Sequence, residues 1–493
     1  MSFGPPPSPF TQSQRAAEER RRKRFKLRGA LSVALAAVLA LGGWALWSAN
    51  SGNENDTTTS AKAAHQPASD DIRETVEPAP RGGAGHMVAS VMTKELQPKQ
   101  SQATPGTWAT DKVLVKGRYD KLEAVKIGAD TEAWTKVLPG PICGFTSLVT
   151  VDEKTAVLFR DKEHGDLCNQ VGFIDLNSGH LLWKATFPGK SKMGSTIDPT
   201  TVTMTRGVVV TSWQAKGAAA FDMHDGTELW RRSPAQDCSD LGFAGGGALS
   251  VVRACAPESA GAETQPYQVQ RISARTGKAQ WTYKVAEGVK GVSLVSSKPL
   301  VIGVGAGGEG QITDLISLGE NGKYRATIRL EGGHYEVKCD SYYLDQCSQV
   351  VVGKKQVFVT SSEKNEGIND TTNWIVGFDL GTGRSGMKFD AGDDRMIYPV
   401  RMSGDSLLAY KVSTDGYAPN SVVSLDPVTG KESEYFYFNV APENRAMVSG
   451  GENDDVLIEN GRVFFGTGGI TGEGEKGSPL LVTTAIGIGR AHS

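Results

Sequence analysis

The stretch Phe221–Trp230 reads FDMHDGTELW, and it decides the fold because the chain repeats it. An Asp is followed by a turn-like His-Asp-Gly, and a Trp stands eight residues after the Asp. An earlier stretch, FIDLNSGHLLW, ends at Trp183 and has its Asp, Gly and Trp at the same spacing. Asp side chains start turns by accepting hydrogen bonds from nearby backbone amides, and Gly adopts positive φ at little cost. The phrase therefore indicates a strand, a tight turn and a second strand that carries a Trp.

Copies of the phrase recur at a nearly constant interval. Four copies end in a Trp, and these residues are separated by 49, 47 and 51 positions. Three weaker copies follow without the Trp, the first starting at Ile316. A period of about 50 residues is typical of four-stranded propeller blades. The structural residues of the copies are Trp134, Asp175, Gly179, Trp183, Asp222, Gly226, Trp230, Gly277, Trp281, Asp379, Gly383, Asp426 and Gly430.

The predicted fold class is all-β, a propeller of four-stranded blades. Seven phrases and one further set of strands favour eight blades in which the terminal segments share the closure. A seven-bladed ring, with the partial units merged, is the alternative. A blade cannot bury both faces alone, and a Trp on the outer strand would fill the wedge between neighbouring blades. The phrase is thus expected to build the ring rather than to bind a ligand.

The repeat resembles a known family pattern. AFDMHDGTELW and ARTGKAQW are similar to the Ala-x-Asp-x-x-Thr-Gly-Lys-x-x-Trp repeat of quinoprotein-type (PQQ-like) β-propellers. That group includes pyrroloquinoline-quinone dehydrogenases and the propeller lipoprotein of outer-membrane assembly, and the chain also looks like actinobacterial envelope proteins. The resemblance covers about residues 106–489. It implies the fold, but it does not choose between the functions that this fold supports.

The N-terminus predicts a membrane anchor. Residues 1–28 form a Pro-rich and then strongly basic tail, and residues 29–49 run for 21 positions without a charge. A helix of that length rises about 31 Å, enough to cross a bilayer core. The basic cluster places the N-terminus in the cytoplasm and the propeller outside, as a single-pass protein of the cell membrane. A cleaved signal peptide is the alternative, but its apolar region would be shorter and end in a cleavage site.

The remaining boundaries follow from composition. Residues 50–105 are rich in Ser, Thr, Asn, Pro, Ala and Gly, which predicts a flexible extracellular linker. Within that linker, GHMVASVMTKEL stands out as an N-terminal strand or a peptide that packs on the domain. Residues 106–493 form the predicted propeller.

All six cysteines follow the predicted anchor, which fits disulfides in an oxidising compartment. Six cysteines allow 15 pairings, but the repeat register puts two cysteines in each of three units. We therefore expect the pairs Cys143–Cys168, Cys238–Cys255 and Cys339–Cys347.

No motif for catalysis, a cofactor or a metal emerges from the sequence. The quinone dehydrogenases use adjacent cysteines and calcium ligands, and a haem-bearing relative would show Cys-x-x-Cys-His; the chain has neither cysteine motif. Loops rich in Asn and Asp lack the spacing of a calcium loop. The formal net charge of −2 gives no reason to expect a nucleic-acid partner.

The leading hypothesis for function is a non-catalytic binding or scaffold propeller displayed outside the membrane. Its expected partner is an envelope protein or peptide held on a propeller face. The alternatives are a propeller enzyme, with a PQQ-dependent oxidoreductase first, and an extracellular sensor that signals through a partner kinase.

Overall fold

The structure of the protein is a computed structural model that describes residues 67–161, 167–188, 200–213, 215–234, 237–255, 266–305, 311–330, 334–340, 343–362, 372–449, 454–472 and 481–490. The predicted tail and signal anchor, residues 1–49, lie outside these ranges. Among the described residues, no helix is both long enough and apolar enough to cross a membrane.

The described residues form an all-β propeller of eight blades. In blades 1–5 and 7, four consecutive strands pair antiparallel, so that the first strand lies innermost and the last lies at the perimeter. This architecture confirms the fold class and favours eight blades over the seven-bladed alternative. Blade 1 consists of Thr107–Ala109, Val113–Arg118, Lys121–Lys126 and Glu132–Val137, and blade 2 of Ile142–Phe145, Lys154–Asp161, Leu167–Asp175 and Leu181–Thr186. Blade 3 consists of Thr200–Thr205, Val208–Trp213, Gly217–Asp222 and Glu228–Arg232, and blade 4 of Cys238–Ala244, Leu249–Cys255, Tyr267–Ile272 and Ala279–Lys284.

Blade 6 departs from the repeat because its inner strand is split into two short pieces that both pair with the next strand. The intervening residues form a separate two-stranded hairpin, Lys338–Cys339 with Cys347–Ser348. Blade 5 consists of Gly291–Ser297, Leu300–Gly305, Asp314–Leu318 and Tyr324–Arg329. Blade 6 consists of Tyr335–Glu336, Val350–Val352, Gln356–Ser361, Trp374–Asp379 and Ser385–Asp390, and blade 7 of Arg395–Ser403, Ser406–Ser413, Asn420–Leu425 and Glu432–Phe438.

Blade 8 closes the ring with strands from both ends of the chain. It contains Asp454–Glu459, Arg462–Thr467 and Leu481–Gly489, and its outermost strand is the N-terminal segment His86–Lys94. His86 pairs with Gly489 and Lys94 with Leu481. A smaller pairing joins Ser101–Ala103 to Gly469–Thr471. A short 3₁₀ turn, Pro442–Asn444, and a one-turn helix, Arg445–Val448, precede the blade.

The structure differs from the sequence analysis in the stretch assigned to the linker, residues 50–105. Its second half, residues 67–105, lies on the propeller and supplies the closing strand, as the GHMVASVMTKEL stretch had indicated. The segment before that strand looks like a linker because it is poor in apolar residues. Its contacts are mainly backbone pairings and ion pairs, which leave no periodic pattern in the sequence.

The core lies between the blades. Alternate residues of one strand point to opposite faces of their sheet, and in the second strand of blade 3 both faces are covered. Val209 packs toward Phe173 of blade 2, whereas Val208 and Val210 pack toward Phe243 of blade 4. Since each blade buries both faces against its neighbours, the ring places its innermost strands around a shared axis.

Candidate functional site

The repeated Trp side chains join neighbouring blades at the perimeter. The indole Nε1 of Trp183, on blade 2, donates to the carbonyl oxygen of Met223 in the turn of blade 3 at 2.8 Å. Trp230, on blade 3, repeats the contact by donating to the carbonyl oxygen of Ala274 in blade 4 at 2.6 Å. Trp134 and Trp281 make the equivalent bonds to the carbonyl oxygens of Leu176 and Glu320.

The repeated Gly accommodates both the turn and the indole. Gly226 has φ of 75°, and a Cβ added there would lie 2.7 Å from the Trp183 ring. Gly179, Gly277 and Gly322 stand in the same relation to Trp134, Trp230 and Trp281. In the weaker copies Gly430 packs on Met387, and Gly383 faces the backbone oxygen of Thr327.

The repeated Asp side chains are occupied by their own turns. Oδ1 of Asp175 accepts from the amides of Asn177 and Ser178, and Asp222, Asp379 and Asp426 accept equivalent bonds. These hydrogen bonds favour the ionised carboxylate. They lower the pKa of Asp222, and the bond from the His224 amide is the largest cause. None of these residues lines the central cavity described below. The repeat residues therefore lie apart from that cavity.

Three disulfides occur at the expected pairs. Cys143–Cys168 and Cys238–Cys255 each link strands of one blade, at sequence separations of 25 and 17. Cys339–Cys347 closes a loop with a separation of 8 within the inserted hairpin of blade 6. The third disulfide thus fixes the part of the ring that differs most from the repeat.

The inserted hairpin, described at residues 338–340 and 343–348, packs against the innermost strands of other blades. Leu344 is 7% exposed and belongs to the core between blades 4 and 5. Its carbonyl oxygen accepts from the amide of Leu294 at 2.7 Å. A Cβ on Gly242 would lie 3.1 Å from the Leu344 side chain, so the small residue gives the hairpin its room. The hairpin consequently occupies space inside the ring.

A cavity of about 250 Å³ remains between this hairpin and the inner ends of blades 2–5. We call it the central cavity. Its polar lining comes from hydroxyls, backbone and two charged side chains, Lys298 and Asp345. Burial raises the pKa of Asp345 to about 7, although a side-chain hydrogen bond with Thr203 acts in the opposite direction. The Thr203 hydroxyl is itself held by the amide of Gly245 at 2.9 Å. The cavity thus presents a carboxyl group that titrates near neutral pH.

Sequence reasoning did not find the central cavity or Asp345. Both depend on the hairpin, which interrupts the repeat and therefore has no counterpart in the other copies. The available signal was the short spacing of Cys339 and Cys347 within the unit that departs from the pattern.

The N-terminal segment, residues 68–85, forms a strap along the same face of the ring. The backbone of Ile72 forms a bridge with Thr150 of blade 2, and Ala84 forms one with Tyr437 of blade 7. Between them, Arg73 pairs with Glu153, and one of its Nη atoms donates to the carbonyl oxygen of Ala109 in blade 1. The strap therefore contacts several blades before the chain enters blade 8.

The centre of the strap is a buried ion pair. The Glu77 side chain is fully buried, contacts the Arg401 guanidinium, and accepts from the amides of Asn460 at 2.9 Å and Gly461 at 2.5 Å. Burial raises the pKa of Glu77, and the bond from Gly461 and the charge of Arg401 oppose that rise. Because its partners belong to blades 7 and 8, Glu77 joins the strap to the closure of the ring.

Most of the ring matches a known protein family. Residues 168–434 match the family model described as "Outer membrane protein assembly factor BamB", a PQQ-type propeller family, and this is more than half of the chain. The chain belongs to this family. The match begins in blade 2 and ends in blade 7, so the family pattern spans most of the ring, including the blade that carries the inserted hairpin.

Solved structures with a similar fold include a BamB protein, a quinohemoprotein alcohol dehydrogenase and a designed protein. The structure of BamB from Moraxella catarrhalis is 11% identical, with a TM-score of 0.42 over 82% of this chain and 97% of that one. A quinohemoprotein alcohol dehydrogenase, ADHIIG from Pseudomonas putida HK5, is 11% identical, with a TM-score of 0.45 over 83% and 76%. The computationally designed Ika8 protein is 12% identical, with a TM-score of 0.45 over 82% and 99%. No curated protein matches the chain in sequence.

The described residues of the ring do not fit the quinone and calcium of the propeller dehydrogenases. Among the described residues, no group of three or more His, Cys, Asp or Glu side chains could hold a metal ion. The adjacent cysteines of those enzymes are absent from the sequence, and the hairpin fills part of the space inside the ring.

Proposed function

We propose that this protein is a non-catalytic scaffold that holds an envelope protein or peptide on the face bearing the strap and the central cavity. The observation that carries the proposal is the match of residues 168–434 to a family described as an assembly factor. A ring of eight blades is a rigid platform, and function on such a platform resides in the parts that differ between repeats. Here those parts are the strap, the inserted hairpin and the cavity between hairpin and blades.

The proposed location is outside the cytoplasmic membrane, with residues 29–49 as an uncleaved single-pass anchor. The uncharged run and the basic cluster before it support this orientation. Three disulfides support an oxidising compartment. Protease added to intact cells should remove the propeller and spare a tag on residue 1. Loss of the tag under the same conditions would contradict the orientation.

A photo-crosslinking amino acid in intact cells tests the partner. Gln346 is an exposed residue of the hairpin beside the central cavity, and Lys284 is an exposed residue at the perimeter of blade 4. We expect the probe at Gln346 to capture a discrete envelope protein, identified by mass spectrometry, that the probe at Lys284 does not. Equal capture from both positions would contradict a dedicated binding face.

A titration with pyrroloquinoline quinone and Ca²⁺ tests the non-catalytic part. We expect no saturable quinone binding by calorimetry or absorbance. Stoichiometric binding would overturn the scaffold-only proposal in favour of an oxidoreductase.

A further inference from the structure

A second cavity, of about 340 Å³, opens on the strap-bearing face among the turns of blades 3, 4 and 5. Four cationic side chains line it, and Glu320 is the one acidic side chain in its lining. We call it the arginine pocket, defined by Arg206, Arg271, Arg275 and Lys298. It shares only Lys298 with the central cavity. Arg206 and Arg275 are paired with carboxylates outside the lining, so the positive charge that favours an anionic ligand comes mainly from Arg271 and Lys298.

Arg271 is the fixed element of the pocket. Arg271 is only 5% exposed. One of its Nη atoms donates to the carbonyl oxygen of Ser297 at 2.8 Å, and its guanidinium lies 5.8 Å from the centre of the Trp281 ring. Its Nε has no hydrogen-bond partner among the described residues. A buried donor without a partner costs free energy that an acceptor would recover.

The charge of the buried Arg271 guanidinium also favours an anionic ligand. Burial lowers the pKa of this guanidinium because desolvation disfavours its charge, and the Glu320 carboxylate acts in the opposite direction. Glu320 is exposed to solvent, so it compensates that charge incompletely. An anion bound beside Nε would supply both the missing acceptor and the missing countercharge.

The rim of the pocket already orients carboxylates. Arg206 pairs with Asp71 of the strap at 3.1 Å, and Arg275 pairs with Asp222 at 2.7 Å. Both arginines are more than half exposed, so they retain donors on the open side. The Lys298 side chain is exposed and makes no hydrogen bond or ion pair with the described part of the chain. The rim thus shows how an oxyanion would be received, with Arg271 as the buried cation of the pocket and Lys298 as an exposed cation beside it.

We propose that the arginine pocket binds an oxyanion group, a carboxylate or a phosphate, held by Arg271 and Lys298 and flanked by Arg206 and Arg275. Guanidinium groups bind such planar or tetrahedral oxyanions through paired N–H donors. The chemistry is common to an acidic side chain of a protein and to a free phosphate. The two sources are separated by the probes below.

Isothermal titration of the full-length chain in detergent tests the pocket with three probes: inorganic phosphate, citrate, and an acetylated Asp-Asp dipeptide amide. We expect one probe to bind with 1:1 stoichiometry and to weaken as NaCl is raised. The variants Arg271→Gln and Lys298→Gln should each weaken it about tenfold, since each removes a charge-assisted bond. Arg231→Gln is the matched control, because Arg231 lies on the exposed outer strand of blade 3 and pairs with Glu228 outside the pocket. The tightest probe identifies the source, the peptide for an acidic protein segment and phosphate for a free anion.

Two results would overturn the proposal: no 1:1 binding of any probe at low salt, or an equal loss in Arg231→Gln and Lys298→Gln. If Arg271→Gln does not fold, Lys298→Gln and the rim variant Arg206→Gln carry the test. A nitrogen-15 signal from the Arg271 Nε–H gives an independent readout. It should shift on titration in the wild type and stay fixed if the pocket binds no anion.

Discussion

The wedge between neighbouring blades is filled differently at the boundary of blades 3 and 4 and at the boundary of blades 5 and 6. At the first, Trp230 bridges the wedge and bonds to the next turn. At the second, the corresponding position is Ala326, and the backbone of Thr327 approaches Gly383 directly. An open groove of about 710 Å³ remains beside Tyr324 there. Where the repeat is intact, the Trp covers the perimeter between the blades. Where blade 5 lacks this Trp, a groove stays open, and the next blade carries the insertion inside the ring.

Removing the indole from the intact boundary should have the largest effect. Trp230→Ala is expected to lower the free energy of unfolding by about 3 kcal/mol, since truncating a large packed aromatic leaves a cavity and an unpaired carbonyl. Chemical denaturation of the full-length chain measures the change. Tyr324→Ala, at the open boundary and 56% exposed, is the matched control and should cost less than about 1 kcal/mol. Equal losses would mean that the two boundaries are packed alike.

Removing the disulfide of the inserted hairpin should show whether the hairpin and the ring unfold separately. Replacing Cys339 and Cys347 by Ser is expected to lower the free energy of unfolding by about 2–3 kcal/mol, because a short unfolded loop is released. Limited proteolysis should then cut within residues 338–348 while far-ultraviolet circular dichroism keeps the signal of the blades. Loss of the whole β signal at the same temperature would show that the hairpin supports the ring.

A repeat Gly must adopt positive φ and must leave room for an indole ring, and the two requirements can be tested separately. Gly226→Ala introduces a Cβ at positive φ and against the Trp183 ring, whereas Gly128→Ala introduces one at φ of 84° with nothing within 4 Å. We expect about 1 kcal/mol for Gly128→Ala from backbone strain, and about 1 kcal/mol more for Gly226→Ala from the clash. Thermal unfolding measures both. Equal shifts would mean that the indole moves aside freely.

Asp345 should give the smallest effect, visible in the pH dependence. Its pKa in the folded chain is raised to about 7 from an ordinary value of 3.8, so the folded state holds the proton more tightly. Its contribution to stability is therefore present below about pH 4 and is lost as the pH rises toward and through 7. Asp345→Asn should flatten this part of the profile and stabilise the chain by about 1 kcal/mol at pH 8. A profile identical to wild type would contradict the shift.

These contrasts explain which parts of the molecule the sequence could predict. The eight blades followed from a period of about 50 residues, because every copy must cover its neighbour with the same kind of turn and side chain. The strap could not be predicted, since Glu77 finds its partners Arg401 and Gly461 more than 300 residues away. Asp345 and Arg271 were missed for the same reason. Their environments arise from turns of several blades, and no single stretch of sequence contains them.

The closure of blade 8 constrains the order in which the protein can be completed. Ser90 pairs with Ile486, so the first of the two strands must wait until about 400 further residues have been made. Until then, the growing molecule has an unsatisfied sheet edge at each end, and such edges pair readily with other chains. Contacts this distant in sequence also slow folding. Assembly in the cell should therefore be most vulnerable until residues 481–489 have been made, and loss of this one strand should be far more harmful than its length suggests.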